Sequence, residues 1–195
     1  LSSANLAGSD FSESSFSLAN LTRANLQHAI LNRCSARRIQ LTGADLQHAS
    51  AVRCSMGMAT LRGADLRHAN FATCVFSRAD LSSANLAHGT FDHGQFSGAN
   101  LRDANLSEAS VRHANLSGLD LRQTSLAGTD FSNCHLQNTN LEDVDLRGCC
   151  FESANLVGGL LTGSHAFQAS FRSADLRNTG LAEIEWYDCD LRDAD

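Results

Sequence analysis

One residue in five is apolar along the whole chain, and this period constrains the fold more than any other feature of the sequence. The apolar positions run from Leu1 to Leu191 in a register that never shifts. Of these 39 positions, 24 are leucine and nine are phenylalanine. We number each five-residue unit from its apolar residue, so that Leu1 is position 1 and Asn5 is position 5 of the first unit. The six exceptions at position 1 are Ala36, Ala51, Met56, Val111, Ala166 and Trp186.

The remaining positions of the unit are patterned as well. Position 4 is small (Ala, Ser, Thr, Gly or Cys) in 35 of the 39 units, and position 5 is Asn or Asp in 20 of them. On a straight α-helix the apolar residues would spiral around every side, and on a flat strand they would alternate between faces. Position 4 and the next position 1 are two residues apart, which is strand spacing with both side chains inward. We therefore predict very short extended segments joined by corners, which Asn and Asp favour because their side chains bond nearby backbone.

A square coil made of four units, or 20 residues, is the simplest closed arrangement of such segments. Sorting the position-1 residues by this longer period gives four faces. The first face is leucine throughout, from Leu1 to Leu181, and the second is leucine from Leu6 to Leu146. All nine position-1 phenylalanines fall on the third and fourth faces. This segregation indicates that the chain repeats every 20 residues.

With its repeated A-(N/D)-(L/F)-x-x motif, the sequence resembles the pentapeptide-repeat family. The resemblance implies the all-β fold of that family, a right-handed quadrilateral β-helix. We expect a single pentapeptide-repeat β-solenoid domain over residues 1–195, with about 9.75 coils of 20 residues and no inserted loops. Coils stacked at roughly 4.8 Å would form a rod about 47 Å long. Its open ends favour edge-to-edge association, so a homodimer through one solenoid end is an expected assembly.

Composition indicates the cellular compartment of the protein and the kind of partner that it binds. No run of 18 apolar residues is present, so the sequence predicts no membrane span. Six of the seven cysteines stand at position 4, which predicts small core residues rather than a disulfide framework, and we expect a reducing cytoplasm. The net charge of −6 is unevenly shared. Residues 1–100 carry 8 Arg and 6 Asp or Glu, whereas residues 101–195 carry 7 Arg and 15 Asp or Glu.

The acidic half supplies the main indication of a partner. Some members of the pentapeptide-repeat family are rods that imitate duplex DNA and occupy the DNA-binding saddle of type II topoisomerases such as DNA gyrase, giving quinolone resistance. The resemblance therefore implies a non-catalytic protein-binding rod that acts as an acidic DNA mimic. Because the rod is acidic overall, we expect no direct nucleic-acid binding. The candidate partner-binding residues all flank the first face: Asp103, Asp120, Glu142, Asp143 and Glu183.

A second interpretation belongs to a different class. The chain would then be a structural or recognition β-helix domain of a larger protein, such as a bacterial secreted effector. The repeat is in mid-course at both Leu1 and Asp195, which favours flanking sequence. In neither case do we predict an enzyme or a cofactor, because the Ser, His and Asp residues fall in repeating columns with no loop to build a pocket. No GxSxG, P-loop, GxGxxG or HExxH motif is present.

Four histidines recur at intervals of 20 residues on the second face: His28, His48, His68 and His88. The predicted coil would stack them as a ladder roughly 4.8 Å per rung, and neutral imidazoles are metal ligands. Duplication of the repeat together with its histidine is the simpler explanation, because the neighbouring residues are also copied. The ladder is therefore a secondary candidate for metal binding.

A group of large apolar residues near the C-terminal end is predicted to lie at or near the surface. Phe167 and Tyr187 occupy equivalent positions one coil apart, next to Ala166 and Trp186. One interpretation is an interface with a second copy or a flanking domain. The other is local repacking, in which Phe167 turns inward to fill the space beside Ala166. The residues of the candidate interface are Leu160, Phe167, Trp186 and Tyr187.

Overall fold

The computed structural model of the protein describes all residues from Leu1 to Asp195. It contains no helix, and therefore none that could cross a membrane. It also contains no strand longer than a single bridge residue. Position-5 residues pair in parallel with the residue 20 places later, as in Asn5 with Asn25 and Asn25 with Asp45. This spacing confirms the right-handed quadrilateral β-helix of 20-residue coils without inserted loops.

Each corner of the coil is a tight turn over positions 1 to 4. The carbonyl of position 1 accepts a hydrogen bond from the N–H of position 4, as between Leu21 and Ala24 (3.0 Å). Position 3 has a positive φ at 29 non-glycine and nine glycine residues, and this combination is typical of a type II turn. The position-5 side chain supports the next turn by accepting the N–H two residues on, as Asn20 does from Thr22 (3.0 Å). This contact explains why Asn and Asp recur at position 5.

Backbone hydrogen bonds join each coil to the coils on either side. The N–H groups of positions 1 and 3 donate to carbonyls of the following coil, as Leu26 does to Asp45 (2.7 Å). The N–H of position 5 donates to the preceding coil, as Asn25 does to Ala4 (2.9 Å). Apart from positions around the turn at Gln123 described below, the N–H groups of positions 1, 3 and 5 of an inner coil thus bond to the neighbouring coils. The outer edges of the first and last coils have no neighbouring coil to bond to.

The core is one continuous column inside the coil. A cluster of 54 buried residues runs from Leu21 to Ala174 and contains the position-1 and position-4 side chains. Phe131, Phe151 and Phe171 stack along the third wall, with ring centroids 5.0 and 4.7 Å apart. No residue of 1–20 or 175–195 is fully buried, because each end coil has a neighbour on one side only.

The corner at Trp186–Cys189 lacks the closing hydrogen bond but keeps a positive φ at Asp188. One other corner departs from the pattern in its backbone conformation. In the turn from Leu121 to Thr124 the closing hydrogen bond is present (3.0 Å), but Gln123 lacks the positive φ. This geometry is that of a type I turn, in which the central peptide is flipped relative to type II. The N–H of Asp103 consequently bonds to the carbonyl of Gln123 (2.9 Å) instead of that of Arg122.

The flipped turn interrupts the bonding between coils around it. Parallel bridges are missing between Asn100 and Asp120 and between Ser125 and Asp145, although the flanking pairs on both sides are formed. The interruption lies on the first wall and at the corner that follows it. It is therefore located within the wall that carries the acidic candidate residues.

Candidate functional site

The acidic candidates lie on the outer surface of the first wall. Asp103, Asp143 and Glu183 occupy position 3, where φ is 57–58°, and all three are exposed. Glu142 stands at position 2 and is half-buried, and its carboxylate accepts a hydrogen bond from Asn140 Nδ2 (3.2 Å). Four of the five candidates therefore share this wall without a strong cationic partner.

Asp120, the fifth candidate, is held in an ion pair. Arg122 grips it with two hydrogen bonds, from Nε (2.9 Å) and Nη2 (2.7 Å). Hydrogen bonding by Arg122 holds the pKa of the Asp120 carboxyl below its usual range. The same pairing between position 5 and the next position 2 occurs four more times at 2.6–2.7 Å, in Asp65–Arg67, Asp145–Arg147, Asp175–Arg177 and Asp190–Arg192. Much of the negative charge of residues 101–195 is thus locally compensated.

The three position-3 carboxylates form a column that recurs in every second coil. At roughly 4.8 Å per coil, successive members lie about 10 Å apart along the rod. Arg102 Nε is 3.7 Å from Asp103, whereas Asp143 and Glu183 make no ion pair. Gly163 leaves room for the Asp143 carboxylate, which overlaps the place that a Cβ on residue 163 would take. The column therefore presents carboxylates without a direct ion pair toward the C-terminal end of the first wall, although Arg122 lies close enough for its pKa to be raised by Asp143 as well as by Asp120, its main partner.

The predicted histidine ladder is present. The imidazoles of His28, His48, His68 and His88 are stacked, with centroids 4.9, 5.1 and 5.0 Å apart and interplanar angles of 4°, 6° and 7°. The next rung is Glu108, whose Oε2 is 3.1 Å from His88 Nδ1. Adding 20 to residue 88 would have identified this carboxylate from the sequence. A second, shorter stack on the third wall, at 4.7 Å, was not anticipated and joins His93 and His113.

The geometry of the ladder does not suit a metal ion. Zinc–nitrogen bonds are about 2.0–2.1 Å long, so two ligand nitrogens on one ion lie within about 4.2 Å of each other with their lone pairs aimed at the ion. In a face-to-face stack the lone pairs lie in the ring planes and point away from the neighbouring ring. No group of three or more His, Cys, Asp or Glu side chains is arranged to hold a metal ion.

The cysteines form part of the core. All seven are free thiols, and five of them are buried. Cys74 Sγ donates a hydrogen bond to the Ala51 carbonyl (2.7 Å), and Cys134 bonds in the same way to Val111 (2.8 Å). Burial raises the pKa of Cys74 to about 12, and that of Cys134 to about 12. These thiols therefore stay protonated and serve as small inward residues.

The C-terminal aromatic residues divide between core and surface. Phe167 and Tyr187 stack face to face (5.2 Å, 8°) and are 39% and 67% exposed, so Phe167 does not turn inward. Trp186 is half-buried and packs edge-on against Phe171 (5.0 Å, 76°). Leu160, at position 5, is 42% exposed. The exposed apolar members of the candidate interface are thus Leu160, Phe167 and Tyr187.

The comparison with family models decides the family. The model for pentapeptide repeats matches the chain in eight copies, with matched segments at residues 1–35, 19–57, 39–78, 79–118, 114–152 and 124–163. The chain belongs to the pentapeptide-repeat family. No curated protein sequence gives a significant match to this pentapeptide-repeat protein.

Solved structures of pentapeptide-repeat proteins share the fold. A trypsin-treated form of QnrB1, a plasmid-mediated fluoroquinolone resistance protein, is 15% identical, with 96% of this chain and 90% of that chain covered and a TM-score of 0.55. HetL, involved in heterocyst differentiation regulation in the cyanobacterium Nostoc sp. strain PCC 7120, is 25% identical, with 99% and 87% covered and a TM-score of 0.48. The QnrB1 match supports the β-helix and, at this identity, nothing beyond the fold.

Side-chain pairing in this pentapeptide-repeat protein differs between its halves, which sequence reasoning missed. Among residues 101–195, every arginine except Arg172 makes an ion pair. In the first hundred residues only Arg33 and Arg67 do. The arginines of that half without an acidic partner are Arg23, Arg37, Arg38, Arg53, Arg62 and Arg78.

A notch on the first wall accompanies the flipped turn and was also missed. It has a volume of about 420 Å³, and every residue that lines it is polar. Its arginines are those nearest Asp103 and Asp120, so it is electrically balanced. The lining residues are Asn100, Arg102, Asp120, Arg122 and Gln123.

Proposed function

We propose that this chain is a non-catalytic protein-binding rod, a single domain over residues 1–195. Its first wall competes with DNA for the DNA-binding surface of a type II topoisomerase such as DNA gyrase. The observation that carries the proposal is the column of exposed carboxylates Asp103, Asp143 and Glu183 on one flat wall, with Glu142 beside it. QnrB1, which shares the fold, is a fluoroquinolone resistance protein.

Charge density sets the strength expected of this mimic. Duplex DNA carries one charge per ~1.7 Å, or roughly 13 charges over the ~23 Å that the last 95 residues span. Residues 101–195 carry 15 acidic residues against 7 arginines. We therefore expect a weaker competitor than DNA of the same length, with an affinity that falls as salt is added.

The alternative is a structural or recognition rod within a larger protein. It is favoured by the five Asp–Arg pairs, which neutralise surface charge that a DNA mimic would use. An exposed ion pair contributes about 0–1 kcal/mol to stability, so pairing of this kind serves solubility and order as well as binding. The two proposals differ in whether the carboxylate column matters for the partner.

A gyrase supercoiling assay tests the first proposal. The protein is titrated into gyrase and relaxed plasmid, with and without a fluoroquinolone. We expect inhibition of supercoiling or protection from the drug. Both effects should weaken when the column is neutralised as Asp103→Asn/Asp143→Asn/Glu183→Gln.

The control removes the same charge from other walls of the same half. Glu152, Asp188 and Asp193 are exposed, and the variant Glu152→Gln/Asp188→Asn/Asp193→Asn should behave as the unmodified protein does. If both variants lose inhibition and drug protection equally, the effect depends on net charge and not on the carboxylate column. No effect of the unmodified protein at any concentration would leave the recognition rod as the function.

The proposal also includes a compartment and an assembly. We place the rod in the reducing cytoplasm, which suits a protein whose seven cysteines are all free. We further infer that the aromatic patch of Phe167 and Tyr187, together with Leu160, supports a homodimer or an interdomain contact near the C-terminal end. Analytical ultracentrifugation of Tyr187→Ser should show weaker self-association than the unmodified protein, and a monomer in both would exclude the homodimer.

A further inference from the structure

The fourth wall carries a cationic groove in the N-terminal half. Arg37 and Arg78 both line this groove, whose volume is about 330 Å³. Both side chains are exposed, and neither makes an ion pair or a side-chain hydrogen bond. These two guanidinium groups are therefore free to bind a ligand, in contrast to residues 101–195, where every arginine except Arg172 is paired.

Gly57 creates the groove. It stands between Arg37 and Ser77 in the column of position-2 residues, where every other unit carries a side chain on this stretch of the fourth wall. The backbone does not require glycine there, because Gly57 has no positive φ and a Cβ would meet only the Ser77 carbonyl at 3.7 Å. The missing side chain thus leaves open space between two cationic rungs.

The groove also offers neutral donors and apolar contact. The hydroxyls of Ser55 and Ser77 line it and make no hydrogen bond within the protein. Met58 is half-buried and Val75 is 37% exposed at its edge. Two guanidinium groups and two hydroxyls supply more hydrogen-bond donors than the two oxygens of a carboxylate can accept. They match the three acceptor oxygens of a phosphate monoester.

We propose that this groove binds a phosphate group carried by a phosphorylated segment of a protein partner. The cations are confined to a short part of the wall, because the same columns continue as Ser97, Gly98, Ser117 and Gly118. A nucleic-acid backbone would need cations continuing along its path and exposed rings for its bases, whereas Met58 and Val75 suit the aliphatic part of a peptide. The site lies on another wall than the carboxylate column and does not depend on the topoisomerase proposal.

Fluorescence anisotropy with a labelled phosphoserine peptide of sequence Gly-Ser-pSer-Ser-Gly tests the site. The unphosphorylated peptide, inorganic phosphate as competitor and a labelled oligo(dT) complete the set of probes. We expect the phosphopeptide to bind, inorganic phosphate to displace it, and the unphosphorylated peptide not to bind. The variant Arg37→Gln/Arg78→Gln should weaken binding about tenfold or more, because both charge-assisted contacts are lost.

Two further variants separate the site from general charge. Arg23→Gln/Arg62→Gln removes the same charge from unpaired arginines of the first wall and should leave the affinity unchanged. Gly57→Gln keeps the charge, introduces a residue already present at position 2 in Gln27 and Gln47, and should weaken binding by filling the groove. Equal losses in both arginine variants, no effect of Gly57→Gln, or no phosphopeptide binding would each overturn the proposal. Tighter binding of oligo(dT) that depends on Arg37 and Arg78 would assign the groove to nucleic acid instead.

Discussion

At the scale of the residue, the third position of the unit determines the shape of each corner. The backbone is left-handed there whether the residue is Gly, Asn or a large side chain such as Arg53 (φ 59°) or Met58 (φ 59°). This conformation is unfavourable for most L-residues and worst for β-branched ones. Each non-glycine residue at position 3 therefore raises the conformational free energy of its turn, and the hydrogen bonds to the coils on both sides offset this strain.

A β-branched residue at position 3 should reveal this cost. We expect Arg53→Val to lower the free energy of unfolding by about 1–2 kcal/mol, because valine tolerates a positive φ poorly. Arg62→Val, at position 2 where φ is not positive, is the matched control and should change stability by less than about 0.5 kcal/mol. Both arginines lack ion pairs, and urea denaturation measures both variants. Equal losses would show that backbone strain at position 3 is not the cause.

The buried thiols should make stability depend on alkaline pH. The pKa of Cys74, Cys134 and Cys149 is raised by burial from 9.0 to about 12. The stabilisation is fully present below pH 9 and is lost as the pH rises toward 12, because the unfolded chain releases these protons first. Each thiol then contributes a slope of up to about 1.4 kcal/mol per pH unit.

Replacing these three cysteines by alanine, the residue most common at position 4, should reduce the alkaline slope. Urea denaturation between pH 8 and 11 measures it. Cys150→Ala, at position 5, is the control and should leave the slope unchanged. If the triple variant keeps the full dependence of its unfolding free energy on pH, groups other than these three thiols cause that dependence.

At the scale of the coil, the sequence was sufficient for the regular structure and insufficient for the one corner, Leu121–Thr124, that loses the left-handed backbone. The period of five fixes which side chains point inward, and the period of 20 fixes which residues stack, as the four-rung histidine ladder shows. Gln123 could not be foreseen, because Gln168 occupies the same position of the unit and keeps a positive φ of 54°. The difference lies in a single peptide plane, whose orientation depends on neighbouring coils rather than on residue type.

Contacts between side chains were predictable from the sequence only where the two residues are 20 positions apart and therefore stack in neighbouring coils. Glu108 lies one coil beyond His88, so the period locates it. The bond between Arg122 and Asp120 runs within one coil, and outward position alone does not show that a carboxylate is neutralised. For this reason the sequence identified the acidic residues of the first wall but not the pairing of Arg122 with Asp120.

Amide hydrogen exchange should detect the flipped turn. The N–H groups of Leu101, Asp120 and Leu126 have no backbone acceptor. The equivalent N–H groups one coil earlier, in Leu81, Asn100 and Leu106, donate at 2.8, 2.9 and 2.8 Å. We expect the first three to exchange at least tenfold faster, as measured by NMR, because exchange follows the loss of hydrogen bonding. In Gln123→Gly, glycine favours the left-handed conformation and should restore protection at all three. If all amides of the first wall are equally protected from exchange, the hydrogen bonding between coils is not interrupted around Gln123.

At the scale of the whole molecule, the rod is a linear stack with an uneven charge along its length. Each inner coil bonds to two neighbours, and its core side chains pack only against those neighbours. Stability in such a stack is close to a sum of coil and interface contributions, so the ends are its weakest parts. The cationic groove and the carboxylate column both lie on inner coils over most of their length, where each coil is bonded on both sides.

This linear organisation predicts that one substitution has different costs along one wall. Phe16 and Phe76 both occupy position 1 of the fourth wall, but Phe76 is fully buried and stacks on Phe96 (5.0 Å), whereas Phe16 is only half-buried in the first coil. Phe76→Ala should lower the free energy of unfolding by about 3–5 kcal/mol, the usual cost of a large cavity in a core. Phe16→Ala should cost less than roughly half of that, because the first coil can open without disturbing the coils beyond it. Hydrogen exchange separates the mechanisms: Phe16→Ala should release only the amides of the first coils, while Phe76→Ala should raise exchange throughout the rod. Equal costs with global exchange in both variants would mean that the solenoid unfolds as one cooperative unit, ends included.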